Sequence, residues 1–206
     1  MFDRTLLQLT RQSQQRLARP LLAAGITANQ ITLLGFGIGI SAIPLLAYGL
    51  YGWALLAILL NRVCDGLDGT LARLGQPTDR GGFLDIVLDF LFYSGIPLGF
   101  ALADPAANAL PAAVLIYSFI GTGCSFLAFA IIAAKRGLHS TAYPDKSFYY
   151  LGGLTEASET IAVFVLMCLF PNSFALLAYG FAALCALTTG IRIWAGWQIF
   201  APAAVK

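Results

Sequence analysis

From Ile31 to Asn61 the chain reads ITLLGFGIGISAIPLLAYGLYGWALLAILLN, without one acidic or basic side chain. The charge-free stretch begins earlier still, at Pro20. A bilayer core takes roughly 20 apolar residues as one helix, so the run is too long for one crossing and suits two. Gly49-Leu50-Tyr51-Gly52 breaks it where an interfacial turn would fall. Composition agrees: of 206 residues 59% are hydrophobic and 11% charged, against roughly 45–50% apolar in a soluble domain, and mean hydropathy is +0.79. A soluble fold of this size cannot keep so much apolar surface from water. Those figures exclude a secreted disulfide scaffold, a disordered regulator and a soluble enzyme. The net charge of +2 gives no support for a nucleic-acid partner.

Working outward, the apolar pattern predicts helices near residues 28–48, 53–73, 82–103, 110–134, 152–170 and 173–198, with Pro105, Pro111, Pro144 and Pro171 at or near the breaks. The expectation is an all-α integral membrane protein, a bundle of six transmembrane helices. Residues 1–206 read as one domain, in which 1–24 form an interfacial amphipathic helix, with Phe2, Leu6, Leu9 and Leu17 set between arginines and glutamines. Six crossings put both termini on one side. Arg4, Arg11, Arg16, Arg19, Arg73, Arg80, Lys135, Arg136, Lys146 and Lys206 all fall on that side, whereas the opposite loops hold only Asp104. By the positive-inside rule both termini are cytoplasmic, which in a bacterium means the cell inner membrane. Cys64, Cys124, Cys168 and Cys185 are scattered without a CxxC pair, and His139 is the sole histidine. Free thiols are expected rather than a zinc site.

The second predicted helix begins as an ordinary span and then turns polar, Asn61-Arg62-Val63-Cys64-Asp65-Gly66-Leu67-Asp68-Gly69, while the third carries Asp85 and Asp89. Ionisable groups at membrane depth cost several kcal/mol unless paired, hydrated or metal-bound. Asp65 and Asp68 are spaced i, i+3 and Asp85 and Asp89 i, i+4, so each pair shares a helix face. A short loop makes the two helices antiparallel neighbours and brings all four carboxylates to about one depth. Four such groups in a poorly hydrated site cannot all stay ionised unless cations fill it. Oxygen donors without His or Cys suit Mg²⁺, Mn²⁺ or Ca²⁺. Four carboxylates can hold two ions about 3.5–4 Å apart, an arrangement suited to in-line displacement at phosphorus. Gly66 and Gly69 leave the backbone beside the cluster open to a bulky group.

These residues carry a resemblance. Asp65-Gly-Leu-Asp68-Gly69-Thr-Leu-Ala72-Arg73, seven residues, then Gly81-x-x-x-Asp85-x-x-x-Asp89 resembles the D-x-x-D-G-x-x-A-R … G-x-x-x-D-x-x-x-D signature of the CDP-alcohol phosphatidyltransferases, with every fixed position met. The resemblance implies transfer of the phosphatidyl group of a CDP-linked lipid, CDP-diacylglycerol first, to a small alcohol with release of CMP. Asp65, Asp68, Asp85 and Asp89 would hold two divalent cations, Mg²⁺ or Mn²⁺, and Asp89 would be the general base. Gly69, Ala72, Arg73 and Thr78 would bind the CDP part. A Pro-Asn-x-x-Thr element of the family falls at Ala28-Asn29-Gln30-Ile31-Thr32, where the proline is missing. Asn29 is a nucleotide candidate there, beside an ordinary capping role for Thr27 or Asn29. The family also implies a homodimer among membrane lipids.

The acceptor is read from the remaining charges. Lys135, Arg136, Lys146 and Arg192 form a candidate pocket for a phosphate-bearing alcohol, with glycerol 3-phosphate the favourite and inositol phosphate next. Glu156 and Glu159 would suit an amino alcohol or simply complement a helix dipole. Gly35-x-x-x-Gly39 and Gly121-x-x-x-Ser125 permit close helix packing, within the chain or across a dimer. Trp194, Trp197 and Phe200 read as an interface anchor. The rival from another class is a cation or proton-coupled transporter, since intramembrane carboxylates also mark ion pathways.

Overall fold

The computed structural model describes residues 3–138 and 153–201. These form α1 (Asp3–Ala23), α2 (Ala28–Ile40), α3 (Ala42–Ala47), α4 (Tyr51–Leu74), α5 (Asp79–Ala103), α6 (Pro105–Lys135), α7 (Ala157–Leu169) and α8 (Phe174–Ile199), with a 3₁₀ turn over Pro171–Ser173 and no strand among the described residues. Among the described residues four segments are long and apolar enough to cross a membrane: 28–47, 79–103, 105–135 and 171–199. The other two expected spans fall short for separate reasons. The second half of α4 carries Arg62, Asp65, Asp68 and Arg73, and α7 has 13 residues, about 20 Å of helix.

Local chemistry sets the ends. Thr27 and Gln30 form a capping box on α2, Gln30 N donating to Thr27 Oγ1 at 3.4 Å and Thr27 N to Gln30 Oε1 at 2.9 Å. Asp104 accepts from Ala107 N at 3.1 Å and Pro105 occupies the first turn of α6, each in its favoured place. The expected helix 28–48 is broken at Ser41. Pro44 has no N–H for the carbonyl of Ile40 and its ring crowds that oxygen. Ser41 Oγ then donates to Ile38 O at 2.6 Å.

The centre is aromatic. Phe92, Phe100, Phe164 and Phe174 are each at most 1% exposed. Phe100 stacks on Phe174 at 4.5 Å and on Tyr51 at 5.7 Å, while Phe164 meets Phe92 and Phe119 edge-on at 6.4 Å. Leu56, Leu91, Leu98, Leu102, Leu176 and Leu187 point outward and are exposed, the inverse of a soluble surface. The glycine stripe packs within the chain: a Cβ on Gly35 would meet Cys64 Cβ at 2.6 Å, and one on Gly39 would meet Phe92 at 2.8 Å and Asn61 at 2.9 Å. This close contact draws α2 onto α4. Gly121 likewise faces Thr189 of α8.

The N-terminal helix spans Asp3–Ala23, and the side it turns to the bundle holds Ala18 and Leu21. Ala18 is fully buried with Ile31 and Leu71, and Leu21 packs beside them, whereas Leu17 is 56% exposed. Phe2 and the side chains of Leu6 and Leu9 lie outside the described residues. His139, Pro144, Lys146 and Lys206 do as well.

Candidate active site at the charged end of α4 and α5

The inner face of α4 is Ala54, Ala57, Ile58, Asn61, Asp68 and Leu71, an i, i+3, i+4 stripe that is apolar in its first half and polar in its second. The same geometry that buries Ile58 in the core therefore carries Asp68 into the bundle, where it is 6% exposed. The 75–78 connection returns the chain into α5. Thr78 caps that helix, its Oγ1 accepting from Gly81 N at 3.1 Å. Asn29 Oδ1 and Thr78 Oγ1 lie 2.9 and 3.2 Å from where a Gly81 Cβ would stand, so these two residues share one corner at the start of α5.

Asp65, Asp68 and Asp85 each offer a carboxylate oxygen within 4.8 Å of the other two. Asp89 is not in that group. It is joined to it through Arg62, whose Nη2 donates to Asp89 Oδ1 at 2.9 Å and lies 3.2 Å from Asp65 Oδ1. All four aspartates line one cleft, three of them within mutual reach and Asp89 held through Arg62. Arg62 is fixed further: Nη1 donates to Tyr93 Oη at 3.0 Å, Nε to Asn61 Oδ1 at 3.1 Å, and its guanidinium carbon sits 5.5 Å from the ring centres of both Phe92 and Tyr93. Asn61 in turn donates Nδ2 to Gly35 O at 3.0 Å. The cleft among these groups, with Thr32 on one wall, has a volume of about 10 Å³, room for about one water-sized sphere.

Three carboxylates on two antiparallel helices, with no nitrogen or sulfur ligand among them, fit a hard divalent cation. Residues 25–201 match the model of the CDP-alcohol phosphatidyltransferase family. The chain belongs to the CDP-alcohol phosphatidyltransferases. It is 55% identical over 197 residues, 96% of either chain, to the inner membrane protein YnjF of Escherichia coli (strain K12). It is 38% identical to the archaetidylinositol phosphate synthase of Pyrococcus horikoshii over 97 residues, 45% of this chain and 50% of that one. The fold resembles Mycobacterium tuberculosis phosphatidylinositol phosphate synthase in two crystal structures. With CDP-DAG bound the TM-score is 0.73 at 19% identity, covering 94% of this chain and 96% of that one. With manganese and citrate it is 0.70 at 20% identity, covering 94% and 92%. The protein is therefore a membrane-embedded enzyme of the CDP-alcohol phosphatidyltransferase class.

The other signature residues of this phosphatidyltransferase are placed as follows. Arg73 folds back along α4, its Nη2 donating to Thr70 Oγ1 at 3.0 Å and its Nη1 reaching 3.3 Å from the Cβ position of Gly69. Ala72 follows buried Leu71 on the same turn. Gly66 does not stand open as expected: Gln14 of α1 lies against it, and Thr70 Oγ1 is 3.2 Å from Gln14 Oε1.

The four acceptor candidates separate. Arg192 is buried, 7% exposed, and lines a cavity of about 140 Å³ with Tyr93, Phe119, Phe126, Thr160 and Glu156. Its Nη1 donates to Thr122 O at 3.0 Å. Arg136 is directed elsewhere: it donates to Phe200 O at 2.8 Å and Ile199 O at 3.4 Å and lies 5.3 Å over the Phe200 ring, closing the end of α8, where free carbonyls attract a cation. Lys135 is exposed at the last turn of α6, and Lys146 lies outside the described residues. Glu156 accepts from Gly153 N at 3.1 Å, and Glu159 accepts from Glu156 N at 3.1 Å, so both carboxylates serve the start of α7.

Arg62, Tyr93 and Gln14 are the functional neighbours that sequence reasoning missed. Arg62 carried a readable signal, because it stands three residues before Asp65 and so on its helix face. Tyr93 lies four residues after Asp89, and its ring lines the Arg192 cavity while its hydroxyl meets Arg62. Gln14 has no comparable signal.

Proposed function

We propose that this enzyme transfers the phosphatidyl group of CDP-diacylglycerol to a small phosphate-bearing alcohol, glycerol 3-phosphate first, with release of CMP. The observation that carries the reading is the convergence of Asp65, Asp68 and Asp85 within 4.8 Å at the end of an apolar bundle. These carboxylates would hold the divalent metal, Mg²⁺ or Mn²⁺. A divalent ion there supplies neutralising charge to the donor's pyrophosphate and to the departing CMP. Thr78 and Asn29, which share a corner at the start of α5, and Arg73, folded back over Gly69, would grip the nucleotide end, Arg73 as a forked phosphate donor.

Asp89 would take the proton of the acceptor hydroxyl. The freed oxygen attacks the phosphorus that bears the diacylglycerol, and the bond from that phosphorus to the CMP oxygen breaks. Arg62 occupies Asp89 Oδ1, so Oδ2 is the oxygen that would receive the proton. The acceptor would sit in the cavity of Arg192, separated from the acid cleft by Tyr93. Buried Arg192 in that cavity favours an anionic alcohol, and Glu156 on the same wall already accepts from Gly153 N. Inositol phosphate is the second reading, favoured by the names of the archaeal relative and the structural neighbours. The chain is read as one domain in a homodimer, with six crossings and both termini and the site on the cytoplasmic side, supported by the distribution of arginine and lysine.

The test is direct. Purified protein receives CDP-diacylglycerol, Mg²⁺ or Mn²⁺, and separately glycerol 3-phosphate, inositol 1-phosphate, serine or ethanolamine, and CMP is measured. CMP release with glycerol 3-phosphate is expected. CMP only with inositol phosphate or an amino alcohol replaces the acceptor. No CMP with any of them, together with metal flux across liposomes, sinks the transferase reading in favour of a transporter.

A further inference from the structure

Arg62 is a built-in cation inside the acid site. Its side chain is 15% exposed, and one of its nitrogens, Nη2, bridges Asp65 and Asp89 at 3.2 and 2.9 Å. A group that joins one carboxylate of the Asp65–Asp68–Asp85 set to the separate Asp89 stands where a second divalent ion would have to bind. Its other nitrogens are spoken for by Tyr93 Oη and Asn61 Oδ1, and two rings flank the guanidinium at 5.5 Å. A planar fork held from four sides keeps its place more firmly than a lone ammonium would. A second doubly charged ion beside it would meet like-charge repulsion at contact distance.

We propose that Arg62 takes the place of the second metal ion, so that the resting enzyme binds one divalent cation per chain, at Asp65, Asp68 and Asp85. This rests on the reading of those three carboxylates as the metal site. Arg62 then acts as a positioning residue: it holds Asp89 on the wall of the acid cleft through Oδ1 and neutralises the Asp65–Asp89 half of the site.

Counting bound Mn²⁺ by titration and electron paramagnetic resonance, without lipid substrate, tests the proposal. Wild type is expected to bind one Mn²⁺ per chain with the six-line spectrum of an isolated ion. Asp89→Asn is expected to bind the same one ion with affinity unchanged within about twofold. Arg62→Gln is expected to bind two, with the coupled spectrum of ions about 3.5–4 Å apart, and Arg62→Gln/Asp89→Asn to return to one. Two ions in wild type, loss of an ion in Asp89→Asn, or one ion in a folded Arg62→Gln would overturn the role of Arg62. If Arg62→Gln does not fold, the wild-type and Asp89→Asn counts decide alone. No Mn²⁺ bound by any variant overturns the metal reading itself, and with it the proposal.

Discussion

Gln14 of α1 lies against Gly66 of α4, on the helical turn that separates Asp65 from Asp68. The N-terminal helix is thereby attached to the back of the acid site. The contact is made by the far end of a flexible side chain, so it tolerates a methyl group and fails with a larger one. Gly66→Ala should change the unfolding midpoint little, because helix propensity returns up to about 1 kcal/mol as Gln14 rotates aside. Gly66→Leu should push α1 off α4. Limited trypsin digestion reads this as faster cleavage after exposed Arg16, and unchanged cleavage would mean that α1 is held by Ala18 and Leu21 alone.

The glycines of α2 differ in what surrounds them, and substitution should expose the difference. A Cβ on Gly35 meets the Cβ of Cys64, which cannot swing away, whereas nothing lies within 4 Å of one on Gly37. Gly35→Val should cost about 1–3 kcal/mol through overpacking. Gly37→Ala should be neutral or stabilising by up to about 1 kcal/mol. Thermal unfolding in detergent separates them, and equal loss at both positions would contradict the intrachain packing of α2 on α4.

Much of this fold was legible because membrane residence leaves few places for charge. Asp65, Asp68, Asp85 and Asp89 were visible as four anomalies, and helical spacing alone placed each pair on one face. What spacing could not show was which carboxylate meets which partner. Asp89 pairs with Arg62 because Arg62 reaches across from α4 to α5, a contact set by the interhelical distance. Gly35 and Gly39 announced close packing without saying against what; Cys64, Asn61 and Phe92 are the answer. The break at Ser41 was in principle readable from Pro44. The difference between Arg136 and Arg192 was not, since both stand toward the C-terminal ends of long apolar helices and only the fold turns one to the end of α8 and the other into a cavity.

That divergence makes a kinetic prediction. Arg192 lines the cavity next to Tyr93, whereas Arg136 caps α8. Arg192→Ala should raise KM for the acceptor by roughly 10–150-fold, the equivalent of a charged hydrogen bond of about 1.5–3 kcal/mol, with KM for CDP-diacylglycerol nearly unchanged. Arg136→Ala should leave both constants alone and cost on the order of 1 kcal/mol of stability. Steady-state CMP release at varied acceptor and donor checks both, and an acceptor effect from Arg136 would move the pocket to the exposed end of α6.

The acid site divides in the same way between holding metal and moving a proton. Asp68 is the most buried of the carboxylates brought together with Asp65 and Asp85, so Asp68→Asn should weaken Mn²⁺ binding and abolish turnover together. Asp89 stands outside that set and is held by Arg62. Asp89→Asn should therefore keep the ion while lowering turnover by about 10²–10⁴-fold, the usual worth of a general base. The amide can still accept from Arg62 Nη2 through its oxygen, so the fold and the unfolding midpoint should survive. Measured side by side, Mn²⁺ affinity and CMP release distinguish the two roles: if Asp89→Asn loses metal and activity in parallel, Asp89 is a ligand first, and the proton must be taken by another group.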